Sequence, residues 1–162
     1  MWDCRAPSSS LTLRAHDREV LSVDWNKWDD CLLATGGADG EGRIWDLRRP
    51  GMPLSILMGH GLAVRRVAWS PHQRSLLASA SYDMSVCLWE TAAGGGGFGG
   101  AGGLARLAPA RRWGHHTEFA VGLSWSNLVE GAIASSGWDG RTFCWDALGG
   151  EPGQLPRQLM AS

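Results

Sequence analysis

Three sets of residues in this chain could hold a nucleophile. They are His16/Thr35/Asp39/Trp45, His60/Ser79/Asp83/Trp89 and His116/Ser135/Asp139/Trp145, and their internal spacing is identical. A hydroxyl, an imidazole and a carboxylate are the parts of a hydrolytic triad, in which the imidazole takes the hydroxyl proton and the carboxylate orients the ring. Two features argue against that chemistry. A nucleophile must stand exposed beside an oxyanion site, whereas each hydroxyl here falls inside an apolar segment with an indole to occupy it. The set also occurs three times, which suits a repeated structural device. The better reading is a buried relay: indole N–H to hydroxyl, hydroxyl to imidazole, imidazole to aspartate, with every polar group partnered. No further ligand stands at metal spacing from these histidines, so neither a metal nor a cofactor is expected. His72 and His115 fall outside the sets and are expected at the surface.

The elements that must position these sets repeat with them. The histidines are 44 and then 56 residues apart, and the excess equals the twelve residues of Ala92–Gly103 (AAGGGGFGGAGG). With that run removed the period is constant and lies in the 40–45 residues of a WD unit, which folds as one four-stranded propeller blade. Apolar alternation predicts strands at Val20–Trp25, Leu32–Thr35, Gly42–Trp45 and Leu54–Met58 in the first unit. The second predicts Val64–Trp69, Leu76–Ser79 and Ser85–Trp89, with an outer strand near Leu104–Leu107. The third predicts Ala120–Trp125, Ala132–Ser135 and Arg141–Trp145. Residues 1–14 read as the remnant of a preceding unit, since Met1-Trp2-Asp3 looks like a unit's end and 10–15 like its outer strand. The units then span 15–58, 59–114 with the glycine loop 92–103, and 115–146, followed by a flexible tail at 147–162. The expected class is all-β: about three consecutive antiparallel blades of an incomplete propeller, open at both ends, each end exposing a sheet face that invites association.

Composition narrows the function. A formal charge of −1 supplies no positive field for nucleic acid or an anionic membrane surface. No apolar run reaches membrane-spanning length and the N-terminus lacks a signal peptide's regions. Cys4, Cys31, Cys87 and Cys144 lack paired spacing and read as reduced thiols. Gly95, Gly97 and Gly100 spell a dinucleotide fingerprint, but no helix follows to receive a pyrophosphate. The run therefore reads as a solvent loop whose deletion leaves the fold intact.

Beyond the generic pattern, VLSVDWNKWDDCLLATG (20–36), AVRRVAWSPHQRSLLASASYD (63–83) and HHTEF (115–119) with Gly122-Leu123 resemble the receptors for the type 2 peroxisomal targeting signal. The likeness runs from about Leu13 to Asp146. It implies a non-enzymatic import receptor, cytoplasmic and cycling to the peroxisome, normally a closed seven-bladed propeller of about twice this length. Implied partners are matrix proteins with an N-terminal nonapeptide signal, such as thiolase. A co-receptor (the long form of the receptor for C-terminal signals) and docking proteins at the peroxisomal membrane complete the set.

Repeat geometry predicts which side chains face a ligand on the surface of the histidine loops. They are Glu19, Leu21 and Ala38; Ala63, Arg65 and Tyr82; Phe119, Val121 and Trp138. An amphipathic helical signal would lay its apolar side on Tyr82, Phe119 and Trp138 and its arginine against Glu19 or Glu118. The rival reading is a WD scaffold or substrate receptor of a cullin-based ubiquitin ligase, because Trp45-Asp46-Leu47-Arg48 fits the WDxR pattern of such adaptors.

Overall fold

The computed structural model describes residues 11–91 and 104–154, which hold twelve strands and no helix. Residues 1–10, the glycine run 92–103 and residues 155–162, and the expectations attached to them, lie outside the described residues. The first repeat supplies β1 (Val20–Trp25), β2 (Leu32–Gly37), β3 (Gly42–Asp46) and β4 (Ser55–Leu57). The second supplies β5 (Val64–Trp69), β6 (Leu76–Ser81) and β7 (Val86–Glu90); β8 (Ala105–Leu107) and β9 (Arg111–Trp113) follow the glycine run. The third supplies β10 (Ala120–Trp125), β11 (Ala132–Gly137) and β12 (Thr142–Asp146). Three sheets result, ordered β1-β2-β3-β4-β8, β5-β6-β7-β9 and β10-β11-β12, one per blade.

The hairpins turn where local chemistry dictates. Between the first two strands of each blade one side chain caps the loop: Asn26 Oδ1 accepts from the amides of Trp28 and Asp29, Ser70 Oγ from His72 and Gln73, and Ser126 Oγ from Leu128 and Val129. Between the second and third strands the relay aspartate caps a tighter turn, accepting from the amide two residues on (Glu41, Ser85 or Arg141). The next position there is left-handed: Gly40 and Gly140 in the outer blades, but Met84, at φ 67°, in the middle one.

Packing between blades forms two apolar clusters. One joins Ala34, Ile44 and Leu57 of the first blade to Val64, Val67 and Trp69 of the second. The other joins Ala78, Val86 and Leu88 to Ala120, Leu123 and Trp125 of the third. Hydrogen bonds stitch the same seams, from Val67 N to Ser22 Oγ (3.0 Å), from Trp69 N to Asp24 Oδ2 (2.7 Å) and from Trp125 Nε1 to the Ala68 carbonyl (2.9 Å). Each buried indole withdraws roughly 150–250 Å² from water, at most about 4–6 kcal/mol, so the tryptophans dominate these seams.

The outer strand of the second blade corrects the sequence reading. Ala105–Leu107 does not pair with β7. It runs parallel to β4 and becomes a fifth strand of the first blade's sheet, with Met58 N donating to the Leu107 carbonyl at 2.9 Å. The strand on β7 is Arg111–Trp113. Trp113 decides this, because its indole packs edge-on against Trp145 at 5.4 Å within the seam between the second and third blades, whereas Leu107 is short and joins the seam below. In the third blade the described residues show three strands. Gly153 N donates to the Cys144 carbonyl, as Leu54 N does to Ile44 and Ala110 N to Leu88. So the described part of the expected tail, 147–154, returns to β12 at the point where β4 and β9 begin.

Candidate functional site

In the first blade Trp45 Nε1 donates to Thr35 Oγ1 (3.0 Å), the hydroxyl lies 2.9 Å from His16 Nε2, and His16 Nδ1 lies 2.9 Å from Asp39. The second blade repeats this with Trp89, Ser79, His60 and Asp83 at 2.8, 2.7 and 3.1 Å. Since Nδ1 faces a carboxylate and carries the proton, Nε2 accepts from the hydroxyl, and the hydroxyl keeps a lone pair for the indole. Asp83 is the best-served aspartate: it also accepts from Gly61 N, from both Ser85 donors, and from Arg112 of β9 at 3.0 Å. Burial opposes its charge, but the bonds from His60, Ser85 and Gly61 outweigh it and hold the carboxyl well below the usual carboxylate range. Asp39 is held down in the same way, with Arg43 adding its charge at 3.5 Å.

The third blade departs. His116 meets Asp139 and Ser135 at 2.9 Å each, but the indole of Trp145 does not reach the hydroxyl. His115 Nε2 takes its place at 2.9 Å from Ser135 Oγ. This corrects two expectations: Trp145 is no donor in its set, and His115 is no surface residue. The residue before the key histidine is small in the other blades, Ala15 and Gly59. Here it is an imidazole wedged between Phe143 (4.6 Å), Trp145 (5.0 Å) and His116 (4.6 Å). Trp145 Nε1 and His115 Nδ1 are left buried without a partner among the described residues. Burial, reinforced by the neighbouring His116, pushes the His115 imidazole down to about 4. Asp139, despite burial, is held at about 2 by His116 and the amides of Arg141 and Thr117. His72 is also tucked in, its Nε2 3.1 Å from the Ser126 carbonyl across the seam.

None of these sets can run a hydrolytic reaction. Thr35, Ser79 and Ser135 are sealed beneath the sheets with both hydrogen-bonding roles occupied, so no substrate carbonyl can approach them. The thiols are free among the described residues, and burial raises Cys87 to about 12, far from a thiolate. Asp29, Asp30 and Cys31 come together on a loop, but Arg48 already pairs with Asp29 (3.1 Å) and Asp46 (2.8 Å). That also ties down the arginine of the WDxR segment.

The surface beside the histidine loops is organised differently. Each blade carries one register shift at the same place in its first strand, between Val20 and Ser22, Val64 and Arg66, and Ala120 and Gly122. A bulge re-aims the side chain it releases, and the released residues are Leu21, Arg65 and Val121. Matching backbone bonds bring the other positions together in pairs: Ala38 N to Glu19 O, Tyr82 N to Ala63 O, and Trp138 N to Phe119 O. Across the seam of the second and third blades Tyr82 stacks on Phe119 at 4.7 Å, and Trp138, two-thirds exposed, lies 5.1 Å from Phe119 and 6.2 Å from Tyr82. Arg65 reaches back to the Leu21 carbonyl at 3.3 Å. Glu19 and Glu118 are exposed and make no hydrogen bond or ion pair to the aromatic trio. The structure thus gathers the three aromatics, while Glu19 and Glu118 stand exposed, Glu118 directly before Phe119 in the chain.

The sequence matches a known family model, the WD domain, G-beta repeat, over residues 7–46 and 51–90. The chain belongs to the WD-repeat family. Within that family it is 35% identical to the peroxisomal targeting signal 2 receptor of Saccharomyces cerevisiae over 92% of this chain and 47% of that protein. It is 50% identical to peroxisome biogenesis protein 7 of Arabidopsis thaliana over 58% of this chain and 26% of that protein. A Dictyostelium discoideum peroxisomal targeting signal 2 receptor is 45% identical over 52% of the chain and 23% of its own length. The chain therefore spans less than half of each of these WD-repeat relatives. They are named for targeting and biogenesis and not for a reaction, which agrees with the sealed hydroxyls.

Proposed function

We propose that this chain is a receptor part that binds the N-terminal type 2 targeting signal of peroxisomal matrix proteins. The reading rests on one observation above all: an aromatic trio, with Tyr82 and Phe119 half-buried and Trp138 exposed, beside the histidine loops of a chain similar to receptors for that signal. An amphipathic helix would seat its apolar side on this trio. Its arginine would pair with Glu19 or Glu118, which carry unspent charge beside the bulges. Cargo of the thiolase kind, a co-receptor shared with C-terminal signals, and docking proteins at the peroxisomal membrane are the partners this role entails. The receptor would work from the cytoplasm and cycle to the organelle. Among the described residues no helix is long and apolar enough to cross a membrane.

The test is a titration with a fluorescent nonapeptide signal against the complete receptor carrying Trp138→Ala or Tyr82→Ala. Affinity should fall at least tenfold at an unchanged melting temperature; wild-type affinity in both variants would remove the site. Co-purification separates the ligase reading, since an adaptor of that kind retains the cullin linker and an import receptor retains thiolase-like cargo.

A further inference from the structure

The two seams between blades are stitched by different chemistry, although their inner strands keep one register. In the first seam β1 carries acceptors across to β5. Ser22 Oγ takes the amide of Val67 at 3.0 Å, and the Asp24 carboxylate takes the amide of Trp69 at 2.7 Å. In the second seam the matching amides of β10 are those of Leu123 and Trp125, and the residues that correspond to Ser22 and Asp24 are Arg66 and Ala68. Neither of those side chains can accept a hydrogen bond. The bond that crosses here runs instead from Trp125 Nε1 to the Ala68 carbonyl at 2.9 Å, and among the described residues neither amide finds an acceptor on β5.

A cavity of about 160 Å³ opens at this place, where the inner strands run into the turns capped by Asn26, Ser70 and Ser126. Arg66, Leu123, Trp125 and Asn127 stand in its wall, as do Asp24 and Lys27. Asp24 is already matched by Lys27 at 2.7 Å, whereas Arg66 is exposed and makes no ion pair among the described residues. The wall therefore holds two cations against one carboxylate. It also holds the Trp69 indole, 1% exposed, whose Nε1 is buried without a partner among the described residues.

We propose that this cavity binds a carboxylate, seated between Arg66 and the amides of Leu123 and Trp125 as the Asp24 carboxylate is seated in the first seam. Arg66 supplies charge-assisted hydrogen bonds. The amides supply direction, because each is a donor whose counterpart in the first seam is met by a side-chain oxygen. A neutral amide of the same shape is disfavoured, since its NH₂ would face donors. The site stands at the ends of the inner strands away from the histidine loops, so it acts apart from Tyr82, Phe119 and Trp138.

The test is a titration of the whole isotope-labelled chain at constant ionic strength, followed by the amide magnetic resonances of Leu123 and Trp125. The probes are acetate, acetyl-aspartate amide and the neutral acetyl-asparagine amide. Both acids should shift the two resonances to saturation, and the neutral probe should bind at least tenfold more weakly. Tighter binding of acetate assigns the site to a free small carboxylate, and tighter binding of the aspartate compound to an acidic side chain of a partner. Arg66→Ser, at an exposed position, installs the hydroxyl of the first seam and should weaken both acids at least tenfold with an unchanged circular dichroism spectrum. Ala68→Asp supplies a resident carboxylate and should abolish binding in a folded chain. The absence of a saturable shift, equal affinity for the acids and the neutral probe, or undiminished affinity in Arg66→Ser overturns the proposal.

Discussion

The relays of the second and third blades are built from one pattern and end in different states. In the second, four side chains form an unbroken chain from Trp89 to Asp83, and Arg112 and Ser85 add further donors to the aspartate. In the third, a second imidazole enters, the hydroxyl spends itself on two histidines, and the tryptophan keeps its shape-filling role without its hydrogen bond. The indole is retained because it still packs against Trp113 and His115. Apolar burial and hydrogen bonding are thus separable services of one residue. The second blade uses both and the third uses the first.

The largest break should come from Asp83→Ala. It strands the buried His60 Nδ1 proton and takes one acceptor from the half-exposed Arg112, which keeps the Gly59 carbonyl, and a loss of about 2–3 kcal/mol is expected. A denaturant titration with an unmoved midpoint would show that the relay does not hold the blade. Asp139→Ala, lacking an arginine partner, should cost less.

A smaller effect separates the two tryptophans. Trp89→Phe gives up a hydrogen bond and orphans part of Ser79, whereas Trp145→Phe removes an N–H that has no partner. The first should therefore be about 1–2 kcal/mol more damaging. Equal losses in calorimetry would mean that Trp145 is satisfied in solution.

His115 sharpens the contrast through pH. Its folded value of about 4 lies below the ordinary 6.5, so between those values the unfolded chain binds a proton that the folded chain refuses. Stability should fall as pH drops from about 6.5 to about 4. His115→Phe, which cannot titrate, should flatten that limb while leaving the aspartate limb below pH 4, and an unchanged slope in urea melts would show that His115 is solvated. The smallest change expected is a gain of about 0.5–1 kcal/mol for Met84→Gly, which replaces a strained left-handed methionine with the residue that the other two blades use there. A loss on thermal melting would mean that the Met84 side chain contributes packing that outweighs its backbone.

Much of this was legible because the repeat prints its own template. Histidine–aspartate spacing locates each tight turn, since one aspartate must both cap it and receive an imidazole. The tryptophans nine residues after each key histidine mark the first strands. The second blade's outer strand was misread as the segment next to the glycine run, although Trp113 stands three residues before His116 as Leu57 stands before His60. Spacing to the next histidine, not proximity to the preceding strand, carried that signal. His115 was missed because a doublet of histidines reads as one functional and one spare residue. Only the small neighbours Ala15 and Gly59 at the same slot hinted that this position points inward.

By itself the sequence determined the period, the strand order within each repeat and the partners of the His16 and His60 relays. These follow from local spacing, because strand alternation and turn chemistry act over a few residues. Tertiary structure decided which strand joins which sheet edge and which donor takes a contested hydroxyl. Those outcomes depend on competition between distant groups for one acceptor or one apolar face, and spacing along the chain carries no record of who wins it.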